Sequence, residues 1–199
     1  MTIDPRHRTI LECAAKLFRH YGPAKTTIAD IAREAQVGVG TVYLVFPSKE
    51  AIVQELSSGA HTAVLQAMRE TAQARAHEDL AQRLGGVLEA RTAWFQRLAT
   101  EGQHACELFH CKTGAVLAVH ARFGEEERAL FVELLQDARE ANELASLDLE
   151  RTAFLIQRAF ATLSPPWLFE QAVEEAKRVA YEMVRLLLLG LCARRDPPT

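Results

Sequence analysis

Apolar residues recur at helical spacing along almost the whole chain and strand-like alternation is scarce, so the pattern predicts an all-α protein with short polar connections. Ile10, Ala14, Leu17, Phe18 and Tyr21 form one stripe of a first helix, opened by Asp4 as cap and Pro5 in the first helical position, and stopped at Gly22-Pro23. Thr27, followed three residues later by Asp30, offers a capping box for a second, short helix with Ile28, Ile31, Ala32 and Ala35 on its buried stripe. Gln36-Val37-Gly38 has room only for a tight turn, and Val39 to Phe46 reads as a third short helix. Pro47 closes it. Ser48 then caps a long fourth helix in which Ile52, Leu56, Ala60, Ala63, Ala67 and Met68 continue an amphipathic pattern towards Ala76.

Further helices are expected near residues 79–99, 101–121 with an interruption at Thr113-Gly114, 125–145, 148–163 and 170–192. Ser164-Pro165-Pro166 separates the last two, because Pro165 lacks a backbone donor and Pro166 keeps its predecessor out of helical geometry, which leaves an antiparallel hairpin. The expected organisation is an N-terminal three-helix domain, residues 1–50, joined through the long helix to a C-terminal helical domain, residues 51–199.

Two short helices joined by a tight turn make a helix-turn-helix, which places the start of its second helix in the major groove of DNA. Ala32 and Ala35 permit close packing, Val37 plugs the turn, and Val42 with Phe46 anchors the third helix. Val39, Gly40, Thr41 and Leu44 are then expected to face bases, through thymine methyl contacts, the Thr41 hydroxyl and close backbone approach at Gly40. Thr26 or Thr27 and Tyr43 are expected to donate to phosphate. Lys49 adds a cation at a helix start where N–H groups already favour an anion.

Charge supports this placement. The net charge is -3, yet residues 1–47 hold six Lys or Arg against four Asp or Glu, so the basic part of the chain is N-terminal. Four scattered cysteines, at 13, 106, 111 and 192, do not make a disulfide framework, and no apolar signal precedes Arg6 and Arg8. The apolar run Val184 to Leu191 is too short to cross a bilayer, so a cytoplasmic protein is expected. The chain has no nucleophile elbow, phosphate-cradling glycine loop, His-Glu-x-x-His pair or Rossmann fingerprint, so no enzyme and no cofactor is expected.

The residues Thr27-Ile28, Ile31-Ala32, Val37-Gly38, Gly40-Thr41-Val42-Tyr43, Phe46 and Ser48-Lys49-Glu50 closely resemble the DNA-binding domain of the TetR/AcrR family of one-component bacterial regulators. The resemblance covers the first 55 to 60 or so residues. It departs at Leu44 and Val45, where members often carry a larger polar or aromatic side chain. It implies a homodimer paired through the last two helices, a palindromic operator of double-stranded DNA, and a small-molecule effector held in the C-terminal domain. A ligand-released repressor is the expected function.

Trp94, Leu98, Phe109, Phe123 and Phe131, with Cys106 and His110, are candidate pocket residues, although an aromatic stripe is ordinarily plain core. Phe160, Val179, Met183 and Leu187 lie on the final hairpin, whose apolar surface exceeds what one chain needs, and are the candidate dimer contacts. An alternative reading is a metal- or redox-responsive regulator of the same fold. Cys106 and His110 share a helix face, but two ligands do not close a site without His120 or a residue from another helix. A helical protein-interaction module is the remaining alternative.

Overall fold

A computed structural model of the chain describes residues 5–101, 104, 114–144, 147–163, 168 and 172–191. Its described residues fall into two compact units, one from 1–61 and 97–121 and the other from 62–96 and 122–199. Among them the only regular structure is helical. The expected Asp4 cap, the Ser164-Pro165-Pro166 break, and Cys106, Phe109, His110 and Cys111 lie outside the described residues.

The first unit begins with α1, Pro5–Tyr21, whose Ile10, Ala14 and Phe18 are fully buried. Tyr21, expected on the same stripe, is exposed. α1 ends on Gly22 at φ 82, a backbone conformation that glycine adopts without cost. Helix α2, Ile28–Glu34, and helix α3, Val39–Val45, pack against α1 and each other. Ile31, Ala32, Ala35, Val42 and Phe46 close that core. α4, Lys49–Ala74, contributes Ile52 and Val53 to it before passing into the second unit.

In the second unit, α4 supplies Val64, Leu65 and Met68, which are buried. The helix α5, Leu80–Thr100, lies mostly in this unit, and α6, Gly114–Glu140, from residue 122 onward. After α7, Leu149–Ala159, a 3-10 turn at Phe160–Leu163 leads towards α8, Val173–Leu191. Leu84, Leu88, Phe95, Phe131, Leu134 and Phe160 are among its fully buried side chains.

The break expected between helices near 122–124 is absent, and one helix of 27 residues replaces the ends of two. Gly124 sits inside it. A helical glycine costs about 1 kcal/mol, and here its carbonyl gains a bond, because Gln157 Nε2 donates to Gly124 O at 2.7 Å. α6 ends where Asn142 takes φ 59, with Asn142 N–H donating to Arg139 O and Glu143 N–H to Ala138 O.

Candidate nucleic-acid interface

Local chemistry builds the helix pair from the chain upward. Asp30 N–H donates to the Thr27 hydroxyl at 3.2 Å, while Thr27 N–H and its hydroxyl donate back to Asp30 Oδ2 at 3.0 and 2.6 Å, so the capping box is complete. These bonds, the Thr27 hydroxyl first, hold the Asp30 carboxyl below its ordinary pKa of 3.8. Because the native pKa is the lower one, the cap's contribution is complete above the ordinary aspartate range and is lost as pH falls through the depressed value. Thr27→Ala is expected to destabilise the protein by about 0.5–2 kcal/mol. Urea unfolding at neutral pH and at pH 3 checks it, since the mutational loss should shrink in acid.

The turn after α2 is a Schellman closure. Val37 N–H donates to Ala32 O at 2.9 Å and Gln36 N–H to Arg33 O at 3.2 Å, with Gln36 in the left-handed region at φ 54. An ion pair at 2.6 Å between Lys16 and Glu34 ties α1 to α2. The chain then enters α3 at Gly38.

Helix α3 has two opposed faces. Val42 is fully buried and Phe46 is 3% exposed, with its ring 4.6 Å from that of His7. On the other side Val39 is 43%, Tyr43 52% and Leu44 86% exposed, Gly40 is exposed and Thr41 half-buried. A methyl group built on Gly40 meets nothing within 4 Å. The side chains expected to face bases therefore share one open surface.

Two of the residues assigned to phosphate are placed otherwise. Thr26 is 2% exposed and its hydroxyl donates to Gly22 O at 2.9 Å, so it is packed inside the unit and Thr27 is the exposed member of the pair. Lys49 is half-buried, and its Nζ donates to Pro23 O at 2.7 Å and Thr26 O at 3.0 Å. That ammonium clamps the α1–α2 connection to the start of α4. Lys49→Met is expected to cost about 1.5–3 kcal/mol of stability, the range for hydrogen bonds to a charged group, read from the urea midpoint.

The candidate effector and dimer residues are dispersed. Leu98 is buried in the first unit. In the second, Phe123 and Phe131 are buried, and Phe95 bridges Trp94 and Phe123 by edge-on ring contacts with centroids 5.9 and 6.3 Å apart. A cleft of about 320 Å³ in the second unit is lined instead by Arg75, Gly85, Gly86, Tyr181, Val184 and Arg185. Sequence reasoning missed it, because Gly85 of α5 meets Val184 of α8, 3.6 Å from a Cβ built on the glycine, only once the two helices pack. Phe160, assigned to the dimer, is 2% exposed and packed inside its own protomer by the 3-10 turn. Val179, Met183 and Leu187 are half-buried, and Leu155 and Leu186 are 49% and 70% exposed. Among the described residues no cluster of three or more His, Cys, Asp or Glu side chains is set for a metal ion, and no helix is long and apolar enough to cross a membrane.

Residues 10–56 match the family described as bacterial regulatory proteins, tetR family. The chain is 26% identical over 202 residues to the uncharacterized HTH-type transcriptional regulator YhgD of Bacillus subtilis, covering 97% of this chain and 100% of that protein. It is 27% identical over 196 residues to the HTH-type transcriptional repressor KstR2 of Mycobacterium tuberculosis, covering 95% and 94%. Among solved structures, that of the fatty acid degradation regulator FadR from Bacillus halodurans has the same fold, with a TM-score of 0.69, 20% identity and coverage of 98% and 100%.

Proposed function

We propose that this chain, whose residues 10–56 match the tetR family of bacterial regulatory proteins, is a DNA-binding transcriptional regulator that represses by binding a palindromic operator as a homodimer and lets go when a small molecule enters its helical domain. The observation that carries the reading is the exposed face of α3. Val39, Gly40, Thr41 and Leu44 offer the bases apolar groups, one hydroxyl and an open backbone, while Tyr43 and Thr27 reach phosphate. Lys49 serves there as a clamp that holds the α1–α2 connection to the start of α4.

Two copies must hold their α3 helices about one DNA turn, or roughly 34 Å, apart. The exposed Leu155 and Leu186, with the half-buried Val179, Met183 and Leu187, supply the apolar surface that a two-fold pairing of α7 and α8 covers. Trp94, Phe123 and Phe131 in the second unit favour an apolar effector.

Gel-shift titration with DNA from around the protein's own gene tests the proposal. A retarded complex of two protomers per site is expected, together with an apolar ligand that weakens it. By linkage, operator DNA must weaken binding of that ligand by the same factor. A complex-free titration at micromolar protein, or a ligand affinity indifferent to operator, overturns the reading.

A further inference from the structure

We infer that the second unit holds a site for a small organic carboxylate with an apolar body, in the cleft of about 320 Å³ where the residue after α4 and the first half of α5 meet α8. Its apolar floor comes from Gly85 of α5 and from Ala180 and Val184 of α8. Two guanidinium groups, of Arg75 and Arg185, line the same space. Arg75 is fixed in advance, because its Nη1 donates to Glu78 Oε2 and to Gln82 O, both at 3.2 Å, which leaves its other donors for a ligand. Arg185 is exposed, lies 5.9 Å from the centre of the Tyr181 ring, and has no ion-pair partner among the described residues.

Gly86 is what admits Arg75. A Cβ on that glycine would stand 2.7 Å from Arg75 Nε and 2.9 Å from Cζ, so the guanidinium reaches its place against α5 only because the position carries no side chain. The paired N–H donors of a guanidinium match the two oxygens of a carboxylate. Tyr181, 64% exposed, offers its ring to the apolar body. Glu78 on Arg75 and Glu89 in the lining partly offset the two cations, so the cleft suits one carboxylate better than a phosphate dianion. Pairing of two chains leaves it open. At about 100° per residue along α8, Tyr181 and Arg185 lie to one side of the buried Ala180 and Val184, and the proposed dimer contacts Val179, Met183 and Leu187 lie to the other.

The cleft is not lined by Trp94, Phe123 or Phe131, and the inference stands apart from operator binding and effector release. Full-length protein without DNA is titrated with para-fluorobenzoate, followed by fluorine NMR, and with its neutral twin para-fluorobenzamide. One carboxylate per chain is expected with a Kd below about 1 mM, and the amide should bind about tenfold or more weakly. Arg185→Gln should weaken the acid by a similar factor, and Arg178→Gln, on the same helix outside the cleft, should leave it unchanged. Gly86→Ala keeps the test independent of folding. The nearest atoms to its new methyl all belong to the flexible Arg75 side chain, and alanine favours the helix, so urea stability should not fall while affinity does. Equal affinity for acid and amide, wild-type affinity in folded Arg185→Gln and Gly86→Ala, no saturable binding below about 1 mM, or loss of binding in Trp94→Phe with Arg185→Gln unaffected overturns the site.

Discussion

Gly40→Ala is expected to make the free protein more stable and its operator complex weaker. Gly40 is the second residue of α3 and its φ lies outside the positive region, so alanine can take the same backbone. A Cβ there meets nothing within 4 Å, so no contact has to yield. Removing a glycine from a helix gains about 0.5–1 kcal/mol, mostly by restricting the unfolded chain. In the operator complex the same methyl stands where the backbone is proposed to come closest to base edges. Displacing it costs about what one wrong base pair costs, roughly 1–3 kcal/mol, or about five- to 150-fold in affinity. Binding to unrelated DNA, which rests on phosphate contacts, should barely change. Fluorescence anisotropy with operator and random duplexes, beside urea unfolding, reads all three. If operator affinity is untouched while stability rises, Gly40 does not face the groove.

What the sequence made legible was short in range. The Thr27–Asp30 box, the turn at Gln36 and the inward Val42 and Phe46 are each decided by residues a few positions apart, and propensity, capping and periodicity act over that span. Lys49 shows the limit. Its position at a helix start is local and readable, but its acceptors, Pro23 and Thr26, become neighbours only after α1 and α4 have packed. The continuity of the helix across residues 122–124 is non-local in a related way, since Gln157, which bonds the Gly124 carbonyl, comes from another helix. Phe160 and Tyr21 followed the apolar pattern in sequence and went opposite ways in the fold, one into the core and one to the surface. The contact of the His61 ring with that of His120, centroids 5.0 Å apart, has no local signal, because helical periodicity gives the face of a residue and not its partner across the packing.

The largest stability effect is expected from the buried ion pair of the second unit. Arg91 and Glu127 are 5% and 3% exposed, and Arg91 Nε donates to Glu127 Oε1 at 2.5 Å. Arg91 Nη1 donates to Leu163 O at 2.9 Å, and its guanidinium lies 5.3 Å from the centre of the Phe95 ring. Gln157 Nε2 completes the other side by donating to Glu127 Oε2 at 2.8 Å. The network thus joins α5, α6, α7 and the 3-10 turn. Two opposed terms set its worth, since burying the charges costs several kcal/mol each and their attraction returns a similar amount. Loss of one partner leaves the first term without the second. Glu127→Leu or Arg91→Met alone is therefore expected to cost about 3–5 kcal/mol, a large part of the 5–15 kcal/mol typical of a whole domain. For a chain of this size that is a fall of roughly 6–20 °C in Tm. The double variant Arg91→Met with Glu127→Leu removes both charges together and should recover most of the loss. Four proteins in a double-mutant cycle, unfolded in urea, measure the coupling. If the two single losses simply add in the double variant, the residues contribute separately and the ion pair does not join the helices.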